Sequence, residues 1–579
     1  MKRLLGYVGR YWRRYLVGGF CLLGTATLVM WIPWWIREAV RIIEHGGSLS
    51  EVTAYAGIIA LAAVAQGVVR TYSRALIFNA GRNVEYDLRN DLFAHLQKLS
   101  VSFYHAQRTG DLMSRVINDI SAVRVMLGPG ILNFVNAPLY YVYALALMLS
   151  MDVRMTLATV APFAVLLFMA RKFRGEIMRS SLEVQRQMSV LSSHVQENLS
   201  GMHVVKAYAQ EDAQISRFAA LNEDFQAKSL ALARMRGIVN PIMQGVSALT
   251  VLIVIWYGGI RVMRGDLLVA DIVAFIAYLN VLAWPTAAFG WMLSLVERGR
   301  AAMKRLDEIL EAPPEITGPP APLRFQRLKS GVEFRNVSFS YGHSNNGHTA
   351  LDDVSFTLPV GKTVGLVGRI GSGKSSVAQL LPRLFDVSAG EILLDGRDIR
   401  RLSLHQLRRM IGCVPQDPFL FSTSLRRNLT FGRDEVTEAE VKRAVSIAKL
   451  DRDLEIFPQG IETVVGERGV TLSGGQKQRA TLARALVMDP PVLILDDCLS
   501  AVDAQTEAEI LHGLKAILRQ KTCLIISHRI SAVKEADEIL VLDAGRVIER
   551  GSHEQLIRRE GVYADLYRQQ RLSEELEQI

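Results

Sequence analysis

Long apolar segments in the first half of the chain constrain the fold most. A helix that crosses a lipid bilayer needs about 20 consecutive, mostly apolar residues. Six stretches approach or exceed this length, and polar segments separate most of them. They lie near residues 15–36, 54–78, 130–151, 155–171, 237–260 and 271–296. We therefore predict an all-α domain with six membrane spans over residues 1–310.

The polar segments predict how these spans are oriented. The N-terminus carries the basic sequence KRLLGYVGRYWRR without a cleavage site after a short apolar core, so we expect an uncleaved first span with its start in the cytoplasm. Six spans then return the chain to the cytoplasm. The long connections Asn79–Arg124 and Arg171–Arg236 fall on the same side, and their helical periodicity predicts long cytoplasmic extensions with a turn at each tip. The net charge of +10 fits cytoplasmic basic segments, and we expect no nucleic-acid partner.

Two arginines interrupt the second predicted span. Arg70 and Arg74 are separated from water if this segment crosses the bilayer, and such residues normally face a bundle interior or a water-filled cavity. The alternative is that the helix leaves the bilayer near them and their side chains extend to the interface. Both interpretations remain open from the sequence.

A proline-rich segment separates the membrane half from a different kind of domain. Residues 311–330 contain EAPPEITGPPAPLRF and lack an apolar period, which indicates a linker. Residues 331–579 follow as a second domain. The chain has four unevenly spaced cysteines, which indicates neither a disulfide framework nor a zinc site and fits a reduced cytoplasmic domain.

The first functional motif of the second half is a glycine-rich loop between a predicted strand and a predicted helix. The strand pattern TVGLVG leads into GRIGSGKS, which matches the phosphate-loop spacing. Backbone N–H groups at a helix start bind phosphate, a lysine neutralises the outer phosphates, and a serine hydroxyl binds Mg²⁺. We assign ATP contacts to Gly368, Arg369, Ile370, Gly371, Ser372, Gly373, Lys374, Ser375 and Ser376.

A second buried strand supplies two acids. The run VLILDD ends at Asp496, which is placed to hold Mg²⁺, and continues with Asp497, which is placed to act on the attacking water. Together the two motifs predict an α/β phosphate-loop domain that hydrolyses a nucleoside triphosphate.

Between these motifs lies TLSGGQKQRATLARAL, in which Leu472–Gln476 resembles the signature of the ATP-binding cassette (ABC) family. The whole chain resembles a half-transporter of the six-helix, multidrug-resistance-like exporters. The resemblance implies that Tyr341 stacks on adenine, that Gln416 contacts ATP and Mg²⁺, and that His528 contacts the γ-phosphate. It implies ATP and Mg²⁺ as cofactors, with Ser375, Gln416 and Asp496 as metal ligands and Asp497, His528 and Gln416 in catalysis.

In this family two cassettes close head to tail, so each ATP lies between the phosphate loop of one and the signature of the other. The resemblance therefore assigns contacts to the partner's ATP to Leu472, Ser473, Gly474, Gly475, Gln476 and Asp503. The segment containing Glu467 resembles an exporter-specific loop. The cytoplasmic tips that dock on the cassettes are expected near Thr109–Ile120 and Ser200–Asp212.

One position departs from the family pattern. The usual catalytic base after the first acid is glutamate, and this chain has Asp497. Aspartate is one methylene shorter, and a base displaced by about 1 Å loses most of its effect. With the signature intact, the pattern resembles the degenerate-site subunit of bacterial heterodimeric exporters. A homodimer in which Asp497 supports hydrolysis is the alternative.

The resulting prediction is an ATP-driven exporter of hydrophobic or amphipathic compounds in the cytoplasmic membrane, with its nucleotide-binding domain in the cytoplasm. Its expected partners are a second half-transporter, membrane lipids and a hydrophobic small molecule or peptide. Alternatives are a lipid or peptide exporter, an importer with this fold, and an ATP-gated channel. The six spans exclude a soluble repair ATPase that shares the cassette.

Overall fold

The computed structural model divides the chain into two compact units. The first comprises Met1–His95 and Gly110–Glu311, and the second comprises Leu96–Thr109 and Ala312–Ile579. The structure describes residues 2–323, 328–342, 349–433, 435–466, 469 and 472–577. Within them, the side chains of 163–172, 174, 239–240, 243–244, 246–247, 287 and 573–577 lie outside the description.

The described part of the first unit consists of helices and the short turns that connect them. The short helix α4 lies between two segments of this unit in the sequence but belongs to the second unit. In order, the helices are α1 (Lys2–Arg10), α2 (Trp12–Glu44), α3 (Leu49–Leu96), α4 (Val101–Ala106), α5 (Thr109–Ser114), α6 (Ile120–Val125), α7 (Ile131–Met151), α8 (Val153–Ser200), α9 (Met202–Ala207), α10 (Glu211–Met263) and α11 (Val269–Leu310), with π-helical segments at Arg115–Asp119 and Met126–Gly130.

The six predicted spans fall within the long helices of this unit. Over the described residues, four helical segments are long and apolar enough to cross a membrane, namely Trp12–Glu44, Leu49–Leu96, Thr109–Met151 and Val269–Leu310. The stretch Ala248–Met263 is a shorter apolar helix. The predictions at 155–171 and 237–260 lie in α8 and α10 and include residues whose side chains are outside the description.

Short polar contacts set the turns between these helices. Asp152 caps the start of α8 by accepting a hydrogen bond from the Met155 N–H at 2.7 Å, which satisfies one free donor of the first turn. The helices then pack through a buried cluster that includes Met30, Phe275 and Tyr278. The Tyr278 hydroxyl donates to the Met30 carbonyl at 3.1 Å, so this aromatic is buried with its polar group satisfied.

The first cytoplasmic tip lies earlier in the chain than predicted. Thr109–Ile120 was expected to contain it, but these residues form α5, a π-helical segment and the start of α6. The turn occurs instead at Leu96–Thr109, which includes α4 and belongs to the second unit. The second tip lies in the expected region, where α9 stands between the long helices α8 and α10.

The second unit contains two sheets. Its strands are β1 (Gly331–Ser340), β2 (Thr349–Pro359), β3 (Thr363–Gly368), β4 (Ala389–Leu394), β5 (Arg397–Asp398), β6 (Ile411–Val414), β7 (Val492–Asp496), β8 (Thr522–Ile526), β9 (Glu538–Asp543) and β10 (Arg546–Gly551). The antiparallel sheet has the order β2-β1-β4-β5, and the second sheet has the order β10-β9-β3-β8-β7-β6.

Helices flank these strands in the second unit. They are α12 (Lys374–Leu380), α13 (Leu404–Met410), α14 (Leu425–Leu429), α15 (Glu438–Ile447), α16 (Asp451–Ile456), α17 (Gly474–Met488), α18 (Ala504–Leu518), α19 (Ile530–Val533), α20 (His553–Arg558) and α21 (Val562–Glu577), with 3₁₀ turns at Ile399–Arg401 and Gly460–Glu462. The helix α12 is shorter than the predicted SVAQLLPRLF pattern, because Pro382 cannot continue an α-helix.

The mostly parallel sheet positions the functional residues. Every residue of β3, β7 and β8 is buried, as expected for strands covered on both faces. The strand β8 pairs in parallel with both β3 and β7, so the carboxyl ends of all three strands meet at one edge. Loops that follow such ends are the usual location of ligand sites in open parallel sheets.

The predicted linker is anchored where the structure describes it. Arg383 donates to the Thr317 carbonyl at 3.1 Å, and Leu323 forms an isolated bridge with Leu402. Leu328 is buried in the core under the antiparallel sheet. The segment therefore makes fixed contacts with the second unit although its composition lacks an apolar period.

Candidate functional site

The phosphate loop lies between β3 and α12, as the sequence predicts. Gly373 immediately precedes the helix with a φ of 97°, and a Cβ at this position would lie 2.2 Å from the Ala350 carbonyl oxygen. Only glycine fits this backbone and this close approach. The tight turn sets the start of α12 at Lys374, so the positive end of the helix faces the loop.

Lys374 is the first residue of α12, and its side chain folds back over this loop. Its side chain is 5 % exposed, and Nζ donates to the carbonyl oxygens of Gly368 at 2.9 Å and Arg369 at 2.8 Å. Burial lowers the pKa of Lys374, and the nearby charges of Asp497 and Asp496 partly offset this effect. The ammonium group is therefore held by neutral carbonyls, and a phosphate oxygen would give it a stronger, charged acceptor.

The carboxyl end of β7 brings an acid beside the loop. The Ser375 hydroxyl donates to Asp496 Oδ1 at 3.2 Å, so two of the three predicted Mg²⁺ ligands are in contact. Burial, with a further contribution from the charge of Asp497, raises the pKa of Asp496 to about 6. A hydroxyl and a carboxylate are hard oxygen donors that suit Mg²⁺, which takes its remaining ligands from phosphates and water. In the described ranges, no cluster of three His, Cys, Asp or Glu residues forms a metal site.

Two of the three predicted catalytic residues, Asp497 and His528, are held at neighbouring strand ends. Asp497 has a positive φ of 45°, and its N–H donates to the Ile526 carbonyl at 2.8 Å. Its Oδ1 accepts from the His528 N–H at 3.4 Å, so its carboxylate lies against the segment after β8. Burial lowers the pKa of His528, and the charge of Lys374 lowers it further. The charge of Asp497 partly offsets these effects, and the lowered pKa favours the neutral imidazole.

Tyr341 lies close to the phosphate loop through α12. Its hydroxyl is 3.1 Å from Ser376 Oγ and donates to Gln379 Oε1 at 3.1 Å. Its ring packs edge-to-face against Phe385, with centroids 5.5 Å apart. The side chain remains 42 % exposed, so an aromatic surface is accessible beside the loop.

Gln416 is less closely tied to the other residues. It follows β6 at the strand-end edge that also carries Asp496, because β6 and β7 pair in parallel. Its side chain is exposed and makes no hydrogen bond with any residue that the structure describes. Ile370 is 91 % exposed within the loop. We name Gly368–Ser376, Asp496, Asp497 and His528 the phosphate-loop edge.

The signature segment forms the start of another helix. Ser473 caps α17, because its Oγ accepts from the Gln476 N–H at 3.3 Å while Gln476 Oε1 accepts from the Ser473 N–H at 2.8 Å. This reciprocal pair is a capping box. Gln476 also donates to Asp453 Oδ1 at 2.8 Å, and Leu472 is buried in the core.

The signature helix is also fixed to the segment around Asp503. A Cβ on Gly475 would lie 2.9 Å from the Ala501 carbonyl oxygen, so the two backbones approach closely. Gln478 Oε1 accepts from the Ala501 N–H at 2.9 Å. Asp503 caps α18 by accepting from the Thr506 N–H at 2.9 Å. We name Leu472–Gln476 and Asp503 the signature edge.

The two edges are separate within one chain. Among the described residues, no hydrogen bond joins the signature segment to the phosphate loop. The exporter-specific loop residue Glu467 lies outside the description. Side chains near the start of the signature helix instead contact Asp453 and the segment around Ala501.

The sequence analysis missed the contacts of the first cytoplasmic tip. The Ser100 hydroxyl donates to Glu315 Oε2 at 3.1 Å, and the Ser102 hydroxyl donates to the same atom. The His105 ring lies 6.0 Å from that of Phe385, which is the aromatic neighbour of Tyr341. The run KLSVSFYH at residues 98–105 follows α3, and its serines were the available signal for polar contacts.

Comparison with known proteins agrees with both halves of the chain. The ABC transporter transmembrane region matches residues 15–286, and the ABC transporter domain matches residues 351–500. A probable multidrug resistance ABC transporter ATP-binding/permease protein of Bacillus subtilis, YheI, is 35 % identical, covering 99 % of this chain and 98 % of that protein. The Escherichia coli multidrug resistance-like ATP-binding protein MdlA is 34 % identical, covering 99 % of this chain and 97 % of that protein.

Solved structures give the same result. A bacterial Atm1-family ABC exporter with ATP bound superimposes with a TM-score of 0.80 and 28 % identity, covering 96 % of this chain and 99 % of that one. The helical membrane region, the strand-end phosphate loop and the separate signature helix are thus the parts of one known architecture. This multi-pass membrane protein, with its nucleotide-binding domain in the cytoplasm, belongs to the multidrug-resistance-like ABC exporters.

Proposed function

We propose that the chain is one half of a heterodimeric, ATP-driven exporter of hydrophobic or amphipathic compounds, with a weak hydrolytic site of its own. The observation that carries this proposal is the pair formed by Asp497 and an intact signature. Asp497 occupies the position of the catalytic base, while Ser473 caps α17 with its hydroxyl at the exposed start of the helix.

The geometry of Asp497 gives the physical reason for weak hydrolysis. Its backbone is fixed by the Ile526 carbonyl, and its carboxylate lies against the His528 N–H. A glutamate on the same backbone would reach about 1.5 Å further toward the γ-phosphate, the length of one carbon–carbon bond. A general base contributes about 10² to 10⁴ in rate only when it is within hydrogen-bond reach of the water. The shorter side chain loses much of this contribution.

The other site residues take the roles that their positions favour. The N–H groups of Gly368–Gly373 and Lys374 bind the phosphates, and Tyr341 stacks on adenine. Ser375, Asp496 and Gln416 hold Mg²⁺, which supplies neutralisation of phosphate charge when bound. His528 contacts the γ-phosphate. The signature edge contacts the ATP that is bound to the partner's phosphate loop.

The first tip supports a route by which ATP binding affects the membrane domain. The segment Leu96–Thr109 contacts Glu315 and Phe385 in the second unit, and Phe385 packs on Tyr341. When adenine binds beside Tyr341 and two cassettes close, the tip moves with them. We propose that this movement turns the transport pathway of residues 1–310 outward and that hydrolysis resets it.

The relatives support export and leave a second candidate. YheI and MdlA carry names that refer to multidrug resistance. An ATP-dependent lipid A-core flippase of Desulfotalea psychrophila is 33 % identical, covering 86 % of this chain and 87 % of that protein. This similarity favours a homodimeric lipid exporter as the second candidate. The two candidates differ in whether the chain hydrolyses ATP efficiently without a sister chain.

The test is the ATPase activity of the purified chain, measured alone and with a half-transporter that has glutamate at the base position. We expect little activity alone, and Asp497→Glu should raise it about tenfold or more because the longer side chain reaches the water. Asp497→Asn should change the activity of the mixed pair by less than about twofold. Robust activity of the chain alone that Asp497→Asn abolishes would falsify the heterodimer and favour the homodimer.

A further inference from the structure

Arginines near the membrane differ in whether they have a counter-ion. Arg37, which follows the first predicted span, pairs with Asp271 at 2.5 Å, and Arg261, which follows the fifth, pairs with Asp152 at 3.2 Å. Arg70 and Arg74 lie within the predicted span 54–78, which contains no acidic residue. Neither makes an ion pair or hydrogen bond with any residue in the described ranges. Two unpaired charges at such positions are costly unless a ligand or water compensates them.

The two arginines line a small cavity with polar groups on its opposite wall. Arg70 and Arg74 are one turn apart on α3, so their side chains share a face. On α7, the successive positions Asn133, Asn136 and Tyr140 are three and four residues apart, so they also share a helix face, and they line the cavity with the arginines. Both arginine side chains are exposed, so a ligand can reach them. We name this space the Arg70 cavity.

The size and chemistry of the Arg70 cavity select a class of ligand. Its volume of about 160 Å³ corresponds to about five waters at 30 Å³ each, so it holds a headgroup but not an alkyl chain. The cations in its described lining are Arg70 and Arg74, and no acidic residue is among those lining residues. The apolar part of the cavity wall consists of Leu22, Leu132 and Trp284. Trp284 is 57 % exposed.

We propose that the Arg70 cavity binds the phosphate or carboxylate headgroup of an anionic amphiphile, whose alkyl chain extends from the cavity past Trp284. Guanidinium groups bind such oxyanions through paired, charge-assisted hydrogen bonds. Two cations without a protein counter-ion disfavour a cationic headgroup by direct repulsion. The proposal rests on the proposed export function and names the substrate class that this half of the transporter receives.

The test is equilibrium binding to the full chain in nanodiscs of zwitterionic lipid, without ATP. The probes are dodecyl phosphate, dodecanoate and dodecyltrimethylammonium, which share one chain length, and binding to empty nanodiscs is subtracted. We expect the two anions to bind and the cation not to bind. The variant R70Q/R74Q should weaken anion binding about tenfold or more, since each lost charged hydrogen bond has a cost of this order.

Matched variants separate the cavity from general charge effects. Arg82→Gln removes an exposed arginine on the same helix, outside the predicted span and the cavity lining, and should leave binding unchanged. R70K/R74K keeps the charge and should retain much of the binding. Binding of dodecyl phosphate alone among the anions would assign the headgroup as phosphate. Anion binding that is equal in wild type and R70Q/R74Q, or cation binding as tight as anion binding, would overturn the proposal.

The same measurement distinguishes this proposal from the proposed export function. Binding needs neither ATP nor a sister chain. Charge-selective binding that depends on Arg70 and Arg74 supports the cavity even if no transport is found. Transport of amphiphiles that is unaffected by R70Q/R74Q overturns the cavity alone. Arg70 and Arg74 make no hydrogen bond or ion pair with the described residues that the variant would remove, and a thermal unfolding curve checks that it folds.

Discussion

The phosphate-loop edge and the signature edge are built in opposite ways. The first is assembled from the ends of three buried parallel strands, and its charged groups Lys374 and Asp496 are each 5 % exposed. The second is assembled from two helix starts, where Ser473 and Asp503 are capping residues and both are exposed. One edge buries its charge, and the other presents helix N-termini to the surface.

This difference fits our proposal that two chains share each ATP site. Buried charges such as Lys374 need a ligand that enters the loop, and they bind it without large rearrangement. Helix starts at the surface attract an anion that another molecule brings to them. The chain has Asp497 at the position of the base and an unaltered signature, and we propose that its larger contribution to hydrolysis lies at the partner's ATP.

The largest expected effect concerns the signature edge. Ser473→Ala removes a hydroxyl that both caps α17 and, by our proposal, contacts the partner's γ-phosphate. Removal of one donor to developing charge in a closed site lowers turnover about 10²-fold or more. We therefore expect the ATPase activity of the assembled transporter to fall by about this factor. A steady-state phosphate-release assay measures it.

Ser552→Ala is the matched control for this change. Ser552 caps α20 with the same reciprocal geometry, since its Oγ accepts from the Gln555 N–H at 3.4 Å and Gln555 Oε1 accepts from the Ser552 N–H at 3.0 Å. Each substitution should cost about 1 kcal/mol of stability through the lost cap. Only Ser473→Ala should abolish turnover. Equal activities of the two variants would contradict a role of the signature edge in hydrolysis.

The next effect concerns nucleotide affinity at the phosphate-loop edge. Stacking of a base on an aromatic side chain contributes about 1–3 kcal/mol. We expect Tyr341→Ala to raise the Kd for ATP about tenfold. Tyr341→Phe keeps the ring and removes only the hydroxyl contacts to Ser376 and Gln379, so it should stay within about twofold of wild type. Equal losses in both variants would indicate that the hydroxyl contacts, rather than stacking, matter here.

The phosphate-loop edge was predictable because its motifs fix the backbone directly. Gly373 is required by a positive φ and a close backbone approach, and the loop between β3 and α12 follows from that requirement. Asp496 was predictable because a fully buried parallel strand places the residue at its end on the ligand edge. The Ser473 hydroxyl was placed at a helix start by the S-x-x-Q spacing that forms the capping box.

Features that depend on distant contacts could not be predicted in this way. The first tip was placed at Thr109–Ile120, because helical periodicity continues across that segment and hides the turn at Leu96–Thr109. The contact of His105 with Phe385 joins positions 280 residues apart, and no local pattern encodes it. Likewise, a cavity beside Arg70 exists only because the polar face of α7 packs opposite α3.

The smallest expected effect is the pH dependence of Mg²⁺-ATP binding at the phosphate-loop edge. Asp496 has a pKa raised to about 6, chiefly by burial, and only its ionised form binds the metal well. Below that pKa the neutral carboxyl predominates, so affinity falls as the pH falls. Between pH 7 and pH 5.5 this single protonation weakens binding about fourfold.

Isothermal titration calorimetry of the chain with ATP, in the presence and absence of Mg²⁺, measures how Asp496 contributes to affinity. Protonation of ATP itself affects the wild type and Asp496→Asn alike, so the ratio of their affinities removes it. We expect the advantage of wild type over Asp496→Asn to shrink about fourfold over this range. A constant ratio would mean that Asp496 stays ionised and that the phosphate-loop edge is more hydrated than its burial indicates. The two edges would then differ less in the burial of their charged groups than their contacts indicate.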